Sequence, residues 1–137
     1  MLDFKKILSS IEVPLSKELL QVLTEHAKVE QIEKNTLLVR EGQIAQRLYF
    51  LVEGTARTFY LHNGKDITSW IYREHTSFTT WYSYLDQKPS FENLEVLEDA
   101  TLASFSKDTL ENLYHQHPKL EHFGRKLVEQ QLSLIHI

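Results

Sequence analysis

Residues 37–68 read LLVREGQIAQRLYFLVEGTARTFYLHNGKDIT. The runs TLLV (36–39), LYFLV (48–52) and ARTFYL (56–61) are rich in β-branched and aromatic side chains, and Gly42, Gly54 and the pair Asn63-Gly64 punctuate them. Such residues suit a pleated, half-buried surface. Asn-Gly is the strongest short hairpin signal, because a type I′ turn needs positive φ at both central positions. Turns recurring about every ten residues predict antiparallel strands in a sandwich, roll or barrel. ITSWIY (67–72), LEVL (94–97) and TLASF (101–105) continue the pattern, so the region from about 29 to 105 is expected to be all β, with a jelly roll as the simplest packing.

On both sides of that block the apolar period becomes helical. Phe4, Ile7, Leu8 and Ile11 recur at helix spacing, and after Pro14 a second helix is expected from the cap Ser16, with Leu19, Leu20 and Leu23 on one face. Ser106 offers a cap for KDTLENLYHQH, and Pro118 fits the first turn of a last helix that carries Leu120, Phe123, Leu127 and Leu134 near period 3.5. The expected organisation is one domain over 1–137, with helices over about 2–26, a β-roll over about 29–105 and helices over about 107–135.

The chain has 137 residues, enough for one core without staples. With 42% hydrophobic and 25% charged residues it reads as an ordinary globular domain. Zero cysteines exclude a disulfide scaffold and thiolate chemistry, in keeping with a cytoplasmic setting. Charged residues break every apolar run of the N-terminal segment, so neither a signal peptide nor a membrane span is expected. The net charge is −4 and no cluster of lysine and arginine forms a basic face, so this chain alone is not expected to bind DNA.

The order helix, β-roll, helix, with the Glu41-Gly42 turn, the aromatic strand from Tyr49 to Val52, Gly54 and the hairpin Asn63-Gly64-Lys65, resembles the cyclic-nucleotide-binding domain of the catabolite-activator and fumarate-nitrate-regulator superfamily of bacterial transcription factors. The resemblance runs on through ATLASFSKDTLENLYHQHP (100–118), so it covers most of the chain. It implies a ligand-sensing regulatory domain with a cyclic nucleotide or another small molecule as effector, no required cofactor, and a homodimer paired through the last helix. In that family the helix leads into a helix-turn-helix, and none is expected within this chain, which reads either as a sensor domain cut from a longer regulator or as a stand-alone relative.

By the same resemblance, residues 77–99, SFTTWYSYLDQKPSFENLEVLED, cover the phosphate-binding cassette. There a short helix turns its N–H groups to the cyclic phosphate, a glutamate holds the ribose hydroxyl and an arginine pairs with the phosphate. Counted from Phe78, the family's glycine-glutamate pair falls on Thr80 and Trp81; counted back from Phe105, the arginine falls on Ser90. Neither charged contact survives, and a bidentate charge-assisted pair is about twice as strong as a neutral hydrogen bond. Trp81 would fill the sugar site.

Thr79, Thr80, Ser83, Ser90 and Asn93 remain as candidates to line a polar cavity, and Trp81, Tyr82 and Tyr84 as pocket walls or core. Lys88, the one cation of the segment, sits beside Pro89 in an expected turn, where solvation is the simpler fate. Glu92, Glu95, Glu98 and Asp99 alternate with Leu94, Val96 and Leu97 and read as mostly a solvated strand face.

Catalysis has no anchor in the sequence. Gly-x-Ser-x-Gly, a Walker loop and His-Glu-x-x-His are all missing. His115 and His117 stand two apart and would leave a helix on different sides, which argues against a metal there. The leading reading is therefore a non-enzymatic sensor whose divergent cassette makes cAMP binding weak, altered or absent. The alternative is an occluded module for dimerisation or protein contact, and a cupin-like enzyme is a distant third.

Overall fold

The computed structural model describes residues 15–135. The expected helix bearing Phe4 to Ile11 lies outside the described residues. Helix α1 (Lys17–His26) opens on Ser16, whose side chain accepts from Leu19 N, and it buries Leu19 and Leu23. The cap satisfies one of the backbone donors that a helix start leaves free.

Eight strands follow: β1 (Lys28–Ile32), β2 (Leu37–Val39), β3 (Arg47–Glu53), β4 (Ala56–His62), β5 (Lys65–Tyr72), β6 (Ser77–Phe78), β7 (Asn93–Val96) and β8 (Ala100–Ser106). They form two antiparallel four-stranded sheets, ordered β1-β8-β3-β6 and β2-β7-β4-β5. Every run singled out in the sequence is a strand, and the jelly-roll architecture is the one expected. Strands β1 and β6 had no run of their own; β1 is largely polar, and β6 spans only two residues.

The turns follow the residue types. Asn63 and Gly64 have φ of 52° and 77°, the pair of positive values that joins β4 to β5. Gly54 has φ of 105°, and a Cβ there would meet the Ala100 Cβ at 2.7 Å, so the crossing of β3 and β8 demands glycine. In β5, Thr58 pairs with Trp70 but Phe59 with Thr68, which leaves Ser69 as a bulge.

The sheets enclose a core in which Leu51, Ala56, Phe78, Leu94, Val96 and Ala103 are fully buried. A stack of three rings bridges the sheets: Phe78 lies 5.5 Å from Tyr49 and 5.1 Å from Tyr72, centroid to centroid. Helix α3 (Lys107–Gln116) starts on Ser106, which accepts from Thr109 N, and α4 (Pro118–Ile135) starts at Pro118. Gly124 lets the Tyr114 ring of α3 lie directly on α4. Leu120, Phe123 and Leu127 point into the chain's own core, at 0, 5 and 1% exposure, while the side chain of Leu134 lies outside the described residues.

Candidate functional site

Between β6 and β7 the chain forms one short helix, α2 (Trp81–Asp86), followed by Gln87 in the left-handed region. The Gln87 side chain closes the helix by donating to Tyr84 O at 2.7 Å and to Ala45 O at 3.0 Å. Left-handed backbone is uncommon outside glycine and asparagine, so nothing in the sequence marked Gln87.

Of the groups expected to line a cavity, the hydroxyls of Thr79, Ser83 and Ser90 and the Asn93 amide are engaged with backbone instead, while Thr80 Oγ1 is not. Thr79 Oγ1 donates to Arg47 O at 2.9 Å. Ser83 Oγ accepts from Ala45 N at 2.8 Å and donates to Lys88 O at 2.5 Å. Asn93 Oδ1 accepts from Glu41 N at 2.8 Å. Ser90 is 4% exposed; its hydroxyl donates to Glu92 O at 2.7 Å and accepts from Glu92 N at 3.1 Å. Its backbone is held in turn, with Gly42 N donating to Ser90 O and Ser90 N to Gln43 O. These bonds lace the cassette to the loop between β2 and β3. Lys88 is exposed, as the sequence suggested.

Trp81 and Tyr84 are buried, at 4 and 6%, whereas Tyr82 is 49% exposed and packs against Phe91 with ring centroids 5.7 Å apart. Trp81 and Tyr84 meet edge to face at 6.0 Å and face α3 and α4, where Lys107 Nζ stands 4.7 Å above the Tyr84 ring. Among the described residues, Thr80 Oγ1 and Trp81 Nε1 are buried with no hydrogen-bond partner in the protein. An unpaired buried donor costs about 1–3 kcal/mol.

The carboxylates are less uniformly solvated than their alternation implied. Glu98 and Asp99 are exposed, but Glu95 and Glu92 are half-buried. Glu95 accepts from Arg57 Nε at 3.0 Å, and Asp66 grips the same guanidinium with both oxygens at 2.7 Å. The Arg57 hydrogen bonds hold the Asp66 carboxyl below the usual carboxylate range. Glu92 accepts from Ser69, the bulge residue of β5. Burial pushes the Tyr72 phenol up to about 12, partly offset by a hydrogen bond with Thr58, and the Glu92 charge adds to the rise. Glu92 therefore ties the segment after α2 to β5 through Ser69, and a carboxylate beside the cassette opposes a phosphate.

Two hollows stand out among the described residues, and the larger lies at the far end of β3 and β8 from the cassette. One of about 400 Å³ carries Glu33, Glu53 and Asp99 on its lining. The other, of about 260 Å³, lies between α2, α3 and α4. Among the described residues no group of three histidine, cysteine or acidic side chains is placed to hold a metal, and no helix is long and apolar enough to cross a membrane.

The family model "Cyclic nucleotide-binding domain" matches residues 29–117, the whole roll together with α3. This chain belongs to the cyclic nucleotide-binding domain family. The superfamily resemblance drawn from Glu41-Gly42, Gly54 and Asn63-Gly64 is thereby borne out. The chain is 27% identical over 111 residues to the Anaerobic regulatory protein of Bacillus subtilis, covering 80% of this chain and 47% of that one, so it spans about half the length of that relative. In structure it is similar to a cyclic nucleotide-binding domain from Methylobacillus flagellatus, with TM-score 0.84 and 20% identity over 96% of this chain and 76% of that one. It is similar also to the Thermus thermophilus Catabolite Activator Protein, with TM-score 0.75 and 20% identity over 87% of this chain and 56% of that one. The family is one of regulatory domains rather than enzymes.

Proposed function

We propose that this domain is the cytoplasmic sensor part of a bacterial transcription regulator, and that its cassette is closed by its own side chains, so that cAMP and cGMP bind weakly or not at all. The regulatory reading draws support from the relatives, whose names are those of an anaerobic regulatory protein and a catabolite activator. The observation that carries the divergence is Ser90. At the position that the resemblance gives to the phosphate-binding arginine, a buried hydroxyl is committed to both backbone groups of Glu92. A cyclic phosphate entering there would lose water without gaining a cation, and it would approach the Glu92 carboxylate. Trp81, at the position of the ribose glutamate, brings no acceptor.

Subunit pairing through α4 belongs to the same proposal. Leu120, Phe123 and Leu127 already pack inside their own chain, so the pairing contact is assigned to the later part of the helix, around Leu134. Light scattering is expected to give a dimer mass for wild type and a smaller mass for Leu134→Lys; identical masses would remove Leu134 from the contact.

Calorimetric titration of wild type, Ser90→Arg and Glu92→Gln with cAMP and cGMP at low salt tests the ligand reading. Wild type is expected to give no heat at micromolar nucleotide, and Ser90→Arg, checked for folding by circular dichroism, to gain binding. Micromolar binding by wild type would overturn the closure of the cassette.

A second reading, a module for protein contact, is favoured by one observation. Leu61, Trp70 and Ile71 on and beside the edge strand β5 are 60, 42 and 53% exposed, more apolar side chain than an edge normally presents.

A further inference from the structure

The tip of the β4–β5 hairpin carries the one Asn-Gly pair of the sequence. His62, Asn63, Gly64 and Lys65 are all exposed, and a Cβ built on Gly64 would meet nothing within 4 Å. The Gly64 backbone nitrogen therefore stands beside the Asn63 amide with no side chain to shield it. Cyclisation of an asparagine requires the next residue's nitrogen to reach the asparagine Cγ, and glycine hinders this least, because it has no Cβ and moves freely between negative and positive φ. Asn63 has φ of 52°, the sign that a type II′ turn also has at its first central residue. Turning the peptide between Asn63 and Gly64 from the I′ towards the II′ arrangement brings Gly64 N round towards Asn63 Cγ while the φ of Asn63 keeps its sign.

The other asparagines provide comparisons within the same molecule. Asn35 is exposed and has φ of 71°, yet it precedes Thr36, whose β-branched side chain crowds the backbone. Asn93 is 9% exposed, Asn112 lies within α3, and both precede leucine. At the hairpin tip a further group stands beside the amide. His62 Nε2 lies 3.5 Å from Asn63 Nδ2, the nitrogen that must leave as ammonia. A protonated imidazole donates from both ring nitrogens, and a donor beside the leaving group meets the requirement for general-acid catalysis once a small ring movement shortens the contact.

We infer that Asn63 is a self-modifying site, converted to aspartate and isoaspartate through a cyclic imide with His62 as the acid. Gly64 N gives its proton to solvent and bonds to Asn63 Cγ. The Cγ–Nδ2 bond breaks, and ammonia leaves with the proton that His62 delivers. Water then opens the imide at one carbonyl or the other, so water is consumed, ammonia is released and nothing is oxidised or reduced. Either product adds one negative charge, next to Lys65 and Asp66, to a chain of net charge −4. Isoaspartate also carries the main chain through its own methylene. The register that sets His62 opposite Lys65 depends on a two-residue turn, so the hairpin tip and the exposed Leu61 on it are altered irreversibly as the molecule ages. The inference goes beyond the sensor reading and does not depend on whether cyclic nucleotide binds.

The test is incubation of the full folded chain at neutral pH and warm temperature for several weeks, with peptide mass spectrometry at intervals. The peptide holding residues 62–65 is expected to gain the mass that separates a hydroxyl from an amine, with isoaspartate as the larger product, while the peptides of Asn35, Asn93 and Asn112 stay unchanged. His62→Ala, with its hairpin checked by amide spectra, is expected to react about tenfold more slowly, less than a fully positioned acid contributes because the contact is long. In urea, where the hairpin no longer holds the two side chains together, the two rates should converge. Modification confined to the urea-unfolded chain, aspartate without isoaspartate, or equal loss at Asn35 overturns the proposal. Equal rates for folded wild type and His62→Ala remove the acid and overturn it as well.

Discussion

Arg57 is the most fully engaged charged residue described here: besides Asp66 and Glu95 it donates to Thr68 Oγ1 at 2.8 Å, and its guanidinium lies 4.1 Å over the Phe59 ring. The Asp66 carboxyl is held low by this partner, so its contribution to stability is complete above the unfolded value, roughly pH 4, and is lost as pH falls through the lowered folded value. The melting temperature of Asp66→Asn is accordingly expected to lie below wild type by a constant margin from neutral pH to about 5, with the gap closing below about 4; a gap independent of pH would refute the pairing. Neither Arg57 nor Glu95 was legible as a pair in the sequence, because their meeting depends on the β4–β7 register, which sets Arg57 opposite Glu95. Glycines were legible, since their signal is local. Gly54→Ala would combine a positive φ with a Cβ 2.7 Å from Ala100, and it is expected to destabilise by about 1–3 kcal/mol or more in denaturant melts.

Helices α1, α3 and α4 were predictable at their starts for a physical reason: Ser16, Ser106 and Pro118 act within one turn of chain. Removing the Ser106 cap by alanine should cost about 1 kcal/mol. The cost of Leu127→Ala should be larger, about 2–5 kcal/mol, because that side chain is 1% exposed and the residual space adjoins the hollow between α2, α3 and α4; a loss under about 0.5 kcal/mol in urea would mean that α4 does not pack on the roll as described. What the stripe Leu120, Phe123, Leu127 could not reveal was its partner, since an internal core and a second subunit ask for the same apolar spacing. Strand β1 escaped for the opposite reason. It lies at a sheet edge, paired only with β8, and its polar residues KVEQI leave no alternation to read.

At the scale of the molecule, the roll, the cassette and α4 share one aromatic core, and its phenols report on the integrity of the whole. Burial pushes Tyr72 and Tyr114 up to about 12 and raises Tyr84 as well. The stability these neutral phenols contribute is present below the unfolded value, about 10, and is lost as pH rises towards 12. Phenolate absorbance from them should therefore appear together with loss of near-ultraviolet dichroism, and reversible titration near 10 in the folded protein would contradict their burial. The cassette was legible as a departure from its family, through Thr80, Trp81 and Ser90, but its replacement wiring was not. Gln87 capping α2 and Ser90 holding Glu92 depend on backbone geometry that no residue type announces.

Closure of the cassette to cyclic nucleotides can be read from thermal unfolding of the full chain with and without a large excess of cAMP or cGMP. A ligand present at about 100 times its dissociation constant stabilises the folded state by about 2.7 kcal/mol, which for a domain of this size raises the midpoint by roughly 10 °C. With the cassette closed, midpoints at millimolar nucleotide coincide with that of the ligand-free protein to within about 1 °C. A shift approaching 10 °C would mean that the cassette is open and that the backbone of α2 holds the phosphate without an arginine.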